Sequence, residues 1–197
     1  GVSAIVSGGQ TMNPSTQDLL QAIERVPSNE VIVLPNNGNI VLAARQAQEL
    51  AAKKVAVVPT RTVPEGIAAL LAFNYQATLE DNVALMQDAA THVQTIEITR
   101  AVRSAQVNGL SVREGQIIGL LNGDLVVADE GVEDVVGQLL ESVGAAECEI
   151  LTIYYGADVT EDEAEVLAEE MRARYPELEI EVLDGGQAHY HYVISAE

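Results

Sequence analysis

The sequence predicts an α/β protein: two α/β lobes with mainly parallel sheets and a β-rich antiparallel section between them. Three observations lead there. Residues 1–92 alternate short apolar runs with amphipathic stretches, the rhythm of a parallel sheet covered by helices. Residues 93–130 hold short apolar runs separated by Asn108-Gly109, Glu114-Gly115 and Asn122-Gly123, and Asn-Gly between such runs signals a hairpin. Residues 131–197 return to alternation. The expected division is a first lobe over 1–92, a β-rich section over 93–130 and a second lobe over 131–197. The chain opens on Gly1 with an apolar run already under way, so it reads as a piece of a longer protein.

In the first lobe, Val2–Val6 reads as a strand that stops at Ser7-Gly8-Gly9. Leu19, Leu20, Ile23 and Val26 recur at helical spacing, so Thr16–Val26 is a helix, with Ser15 or Thr16 as its cap. Glu30–Leu34 is a buried-type strand, Asn39–Lys53 a helix rich in Ala, Gln and Leu, and Val55–Val58 a further strand. Pro64 suits the first turn of a helix reaching Leu71. Leu79–His92 is amphipathic, and Glu80-Asp81 fit its positive N-terminal end. Ile96–Val102, Ala105–Leu110, Gln116–Leu121 and Leu125–Val127 are the short strands of the middle section. Helices then follow over Val132–Val143 and Thr160–Tyr175, the latter opened by the capping-box pattern Thr160-x-x-Glu163. Strands are expected at Glu149–Tyr155, Glu179–Leu183 and Tyr190–Ile194.

Composition bounds the function. A chain of 197 residues that is 48% hydrophobic can bury a substantial core. With 4% aromatic residues and no Trp, that core is Val, Ile, Leu and Ala. The single cysteine, Cys148, cannot form an internal disulfide and reads as a small apolar residue in a strand; a reducing, cytoplasmic setting fits. Ten basic against thirty acidic residues give a formal charge of −20. Such a surface repels nucleic acid and anionic membranes and favours solubility or a basic protein partner. No apolar run approaches the ~20 residues that cross a bilayer, so no membrane insertion is expected.

Three polar loops follow strands in the first lobe: Ser7 to Thr16 (with Gly8, Gly9, Gln10, Thr11 and Asn13), Pro35 to Asn39 (with Asn36 and Asn37), and Pro59 to Pro64 (with Thr60, Arg61 and Thr62). In a parallel sheet such loops leave the carboxyl ends of the strands, the edge where α/β folds bind ligands. Their hydroxyl, amide and backbone N–H groups suit a carboxylate, a phosphate or a partner's backbone. The same residues are also ordinary turn formers. Arg61 is the one basic side chain among them. Neither G-x-x-x-x-G-K-[ST], G-x-G-x-x-G nor G-x-S-x-G occurs, so the sequence offers neither a phosphate-cradling loop nor a hydrolase elbow.

Asp184-Gly185-Gly186-Gln187 follows a strand and is either a turn or a second binding loop. His189-x-His191 is the one metal-like pattern: alternate strand residues share a face, so both imidazoles could reach one ion, but no third ligand is near in sequence. Otherwise no metal is expected. The acidic run over 160–177 is a solvated helix face or a docking surface for a basic protein.

The segments GVSAIVSGGQTMNPST, VIVLPNNGNIVLAA, VVPTRTVPEGIAALLAFN and VLDGGQ together resemble the C-terminal region of the A component of fatty acid kinase, from a dihydroxyacetone kinase-like (DAK2-domain) family, over nearly the whole chain. The resemblance implies a fold shared with DegV-type lipid-binding proteins and the substrate subunit of dihydroxyacetone kinase. It also implies an N-terminal kinase domain elsewhere in the protein, which holds ATP and Mg, and a fatty-acid-binding B subunit that presents a carboxylate for phosphorylation. No cofactor and no catalytic residue is then expected in this chain, and its role is to dock that B subunit. Alternatives are a binding module for a small carboxylate or fatty acid, or a dihydroxyacetone kinase-like enzyme using His189 or His191.

Overall fold

The computed structural model describes residues 1–8, 12–107 and 109–197. The chain forms two compact units, Gly1–His92 and Val93–Glu197.

In the first unit two strands, β1 (Glu30–Val33) and β2 (Lys54–Val57), pair in parallel with Val31 opposite Val55. Helices flank them: α1 (Thr16–Arg25), α2 (Val41–Leu50), α3 (Val63–Leu71) and α4 (Leu79–Thr91). Alternate strand residues face opposite sides. Val31, Val33, Val55 and Val57 pack with Leu19, Ile23, Ala44 and Ala47 of α1 and α2. Ile32, Leu34 and Val58 pack with Ala69 and Met86 of α3 and α4. Local chemistry sets the helix starts. Ser15 caps α1 in a capping box with Asp18, Thr62 caps α3, and Thr78 caps α4 by accepting the Asp81 N–H.

The strand expected at Val2–Val6 does not form. Val2 and Ile5 are largely exposed, and β1 and β2 pair directly with each other. The N–H groups of Lys54 and Val58 donate to the carbonyls of Asn29 and Val33 along the β1 side, so the Val55 carbonyl faces away from β1; the Gln48 side-chain amide covers that carbonyl at 2.8 Å.

The second unit is a six-stranded sheet in the order β7 (Asp124–Asp129), β6 (Ile117–Leu121), β3 (Gln94–Arg100), β10 (Tyr192–Ala196), β8 (Ile150–Tyr155), β9 (Glu179–Asp184). Only β8 and β9 run parallel, joined by α6 (Glu161–Arg174); the other four pairings are antiparallel. The α/β class holds, but this sheet is mixed rather than mainly parallel. The strands of 93–130 and of 131–197 also share it instead of forming separate sections. Asn122 (φ 53°) and Gly123 (φ 89°) turn the chain between β6 and β7, with the two successive positive φ values of a type I′ hairpin. The stretch expected as one strand over Ala105–Leu110 divides into a hairpin of β4 (Ala105–Val107) and β5 (Leu110–Val112). A single 3-10 turn, Ala145–Glu147, follows α5 (Val132–Ser142) and was not anticipated.

Helices α5 and α6 cover one sheet face. Val135, Leu139, Leu140, Leu167 and Met171 meet Ile96, Ile98, Leu151, Ile153 and Ile194 in the larger core. Burying each such side chain contributes roughly 1.5–3 kcal/mol. By strand alternation the other face carries Thr95, Glu97, Thr152, Tyr154 and Ser195. Among the described residues, no helix is long and apolar enough to cross a membrane.

Candidate functional site

The loops after β1 and β2 emerge side by side at the carboxyl ends of the parallel pair, and side chains bind them together. Asn36 adopts φ 54°, a left-handed conformation that Asn tolerates better than most residues. Its backbone N–H donates to Thr60 Oγ1 at 3.1 Å, and the Thr60 hydroxyl donates back to Asn36 Oδ1 at 2.7 Å. Thr60 is 1% exposed, so its hydroxyl is shielded from water, while Asn36 is half-buried. Beneath it lies Gly66 of α3. A Cβ there would come within 2.6 Å of Asn36 Cγ and closer still to Oδ1, so only glycine leaves room for the amide.

The rest of the rim follows from short-range hydrogen bonds. Asn37 Oδ1 accepts the Asn39 N–H at 2.9 Å, and the Asn37 carbonyl accepts the Ile40 N–H at 3.0 Å, turning the chain into α2. Thr62 Oγ1 accepts the Glu65 N–H at 3.3 Å, and Glu65 Oε2 accepts the Arg61 N–H at 2.6 Å. The exposed Arg61 side chain lies over Gly38, its Nε 3.5 Å from where a Cβ of that glycine would stand. Arg61 thus reaches from one loop to the other and forms no ion pair with any described residue. Asn36, Asn37, Asn39, Thr60, Arg61 and Thr62 are therefore brought together.

The first loop is described in part. Ser7, Gly8 and Asn13 are exposed, while Gly9, Gln10 and Thr11 lie outside the described residues. Ser15, rather than Thr16, caps α1: the Ser15 hydroxyl and N–H hold the Asp18 carboxyl below its usual range. Thr16 instead donates to Gln46 Oε1 of α2 at 2.9 Å, and Glu24 accepts the Ala52 N–H. The two helices therefore run alongside each other in the same direction. The loop entering α1 and the loop entering α2 are at the same end of that pair.

Asp184, Gly185, Gly186 and Gln187 belong to the second unit, and their donors are engaged within it. The N–H groups of Gly185 and Gly186 both donate to the Tyr155 carbonyl, and the Gln187 side-chain amide donates to the Tyr154 carbonyl at 2.9 Å. These four residues hold the end of β8. His189 and His191 precede β10 instead of sharing a strand face; His189 has φ 74°. The His191 N–H donates to the Ile98 carbonyl, and burial, reinforced by Arg100, lowers its imidazole pKa. Among the described residues, no group of three or more His, Cys, Asp or Glu could hold a metal ion.

Cys148 lies before β8 rather than within it. It is half-buried, and burial, with Glu147 nearby, pushes its thiol pKa up, away from the reactive thiolate. Helix α6 buries Ala164, Leu167, Ala168 and Met171, while Arg172 pairs with Glu165 and Glu169 along its length.

Two features were missed in the sequence. The first is α3. It buries Pro64, Gly66, Ala68 and Ala69, all small or compact, and turns Val63, Ile67, Leu70 and Leu71 outward. At 100° per residue those four span one continuous face. Leu71 is 82% exposed, as is Tyr75 just beyond, where it meets Phe73 edge-to-face at 4.9 Å. The signal was present: large and small apolar residues segregate with helical period along 63–71. The second is charge asymmetry. Of ten basic and thirty acidic residues, five and eight fall in 1–92, leaving five and twenty-two in 93–197.

An open groove of about 320 Å³ runs along β2 between Lys54, Val55, Ala56, Leu79, Glu80 and Val83. Lys54, which bridges Glu30 and Glu80, begins β2, so this groove lies toward the end opposite the Asn36–Thr60 rim.

A family model for the C-terminal region of fatty acid kinase A-like proteins matches residues 1–197. Protein YloV of Bacillus subtilis (strain 168) is 40% identical over 197 residues, which is 100% of this chain and 36% of that protein. A Staphylococcus aureus (strain USA300) protein is 36% identical over the same span, again 36% of its length. The chain therefore spans about a third of the curated relatives it matches. Among solved structures, the Streptococcus pneumoniae Fatty Acid Kinase B3 protein loaded with linoleic acid superposes with a TM-score of 0.64 at 15% identity, covering 93% of this chain and 76% of that one. A DegV family protein from Corynebacterium glutamicum gives 0.66 at 18% identity, covering 93% and 82%. At these identities the likeness concerns the fold, which is of the DegV type.

Proposed function

The chain belongs to the fatty acid kinase A-like C-terminal family, and on that basis we propose that it docks a fatty-acid-binding B subunit, so that the bound acid is phosphorylated by ATP held in another domain of the same protein. The observation that carries this reading is the rim joined by Asn36 and Thr60. Two loops rich in polar groups, with Arg61 between them, are held rigidly on one edge, where they can meet a carboxylate or a partner's backbone. Rigid placement is what such a role requires. Holding two reactants in position lowers a barrier by about 7–11 kcal/mol without the docking surface taking part in the chemistry. The charge asymmetry adds support, because the nearly neutral first unit offers a contact face from which the acidity of the chain is largely withdrawn.

The test is calorimetric titration of the chain with its cognate B subunit loaded with fatty acid, together with co-elution by gel filtration. A measurable heat and a joint peak are expected. No heat and no co-elution overturns the reading.

A further inference from the structure

We propose that the outward face of α3, formed by Val63, Ile67, Leu70 and Leu71 and extended by Tyr75, seats the apolar rim of the acyl pocket of the partner, with Arg61 at its head set toward the acyl carboxylate. This rests on the reading that the partner is a fatty-acid-binding protein.

The face is inverted for a surface helix. A helix lying on a core ordinarily buries its large apolar side chains and exposes polar ones. Here α3 meets its own core through Pro64, Gly66, Ala68 and Ala69 and leaves Leu71 82% and Val63 56% exposed. Residues 66–79 contain no charged side chain in a chain that is 20% charged. Contiguous exposed apolar surface of this kind marks an interaction site. Tyr75, held edge-on against Phe73, is an aromatic anchor of the type that dominates protein interfaces.

Charge selects the occupant. A second copy would bring together two chains of formal charge −20 each, although only −3 of it falls in residues 1–92, and an anionic lipid surface meets repulsion of the same sign from the rest of the chain. The stripe itself is neutral and begins two residues after Arg61, whose guanidinium forms no ion pair among the described residues and lies over Gly38 of the neighbouring loop. One cation at the head of an apolar stripe matches one carboxylate at the mouth of an apolar pocket. The stripe is also continuous with the rim, because Gly66 of α3 supports Asn36 directly.

The experiment measures binding of the full-length protein to the fatty-acid-loaded partner and to the partner stripped of lipid, for wild type, Leu71→Gln, Tyr75→Ser and Arg61→Gln. Leu71 and Tyr75 are each 82% exposed, so their variants are expected to keep the wild-type circular dichroism and Tm. Leu71→Gln and Tyr75→Ser should weaken binding to both forms of the partner at least tenfold. Arg61→Gln should remove the preference for the loaded form. Wild-type affinity in the stripe variants overturns the inference, and if Thr60→Val still weakens binding the docking reading survives it. No binding by the wild type overturns both together. The inference also fails if ultracentrifugation shows a dimer that Leu71→Gln dissociates, or if phosphatidylglycerol vesicles retain the wild type but not Leu71→Gln.

Discussion

The Thr60 hydroxyl donates to Asn36 Oδ1 at 2.7 Å and accepts the Asn36 backbone N–H at 3.1 Å, so one buried side chain satisfies both the backbone N–H and the side-chain carbonyl of a residue in the neighbouring loop. Thr60→Val keeps the volume and removes the hydroxyl, leaving the Asn36 N–H and side-chain carbonyl unpaired. The expected cost is about 1–3 kcal/mol, read from urea denaturation, with a parallel loss of partner affinity.

Gly66→Ala sets two effects against each other. Alanine in a helix interior gains about 0.5–1 kcal/mol over glycine. The added methyl occupies the place of the Asn36 amide, so that amide must leave and the bond that its Oδ1 accepts from the Thr60 hydroxyl is lost. The second effect wins, with a net loss of about 1–2 kcal/mol. Because Asn36 has φ 54°, glycine is tolerated there. The double variant Gly66→Ala, Asn36→Gly removes the clash and should recover part of the thermal stability lost in the single variant.

Asn82 is 3% exposed and organises the turn between α3 and α4. Its Nδ2 donates to the carbonyls of Asn74, Thr78 and Ala77, and its Oδ1 accepts the Asn74 N–H at 2.8 Å. Asn82→Leu leaves several backbone groups without partners at once and should cost about 2–4 kcal/mol in chemical denaturation. The turn carries Phe73 and Tyr75, so near-ultraviolet circular dichroism should change as well.

Glu97 stands on the sheet face away from α5 and α6, opposite Val193 on one side and Leu120 on the other. Burial raises its carboxyl pKa, and a hydrogen bond from Tyr190 opposes the shift only in part. A carboxyl raised on folding is favoured protonated. Its contribution is fully present below the ordinary carboxylate range and is lost as pH rises through the elevated value. Glu97→Gln should therefore stabilise the protein at pH 7.5 relative to wild type, and the difference should shrink on acidification to pH 4. An unchanged difference across that range would show that the carboxyl ionises without penalty.

The helices were legible because their signals are local. Ser15, Thr62, Thr78 and Thr160 each accept an N–H at the start of a helix, and the apolar spacing behind them is periodic. Strand partners were not legible, because an apolar run specifies burial and not the neighbour or its direction. Val2–Val6 has the composition of a strand yet joins no sheet among the described residues, since β1 and β2 take each other as partners. Alternation near 150–184 correctly signals the parallel pair β8 and β9, but the mixed sheet around it is built by contacts across some hundred residues, such as Val193 with Glu97. Asn36 and Thr60 were recognisable as polar loop residues. Their mutual hydrogen bonds, and the role of Gly66 beneath them, depend on a close approach that no local pattern encodes.

The place of β10 between β3 and β8 has a consequence for biosynthesis. Without Tyr192–Ala196 the ribosome has delivered two disconnected pieces, β7-β6-β3 and β8-β9, whose central edges both lack a neighbour. Everything from Val93 onward must be translated before the middle of the sheet exists, so this half cannot mature progressively from its amino end. Assembly of that kind is slow and leaves adhesive edges open in the interval. Nascent chains stalled short of Tyr192 should therefore be the form of this protein that proteases and chaperones capture.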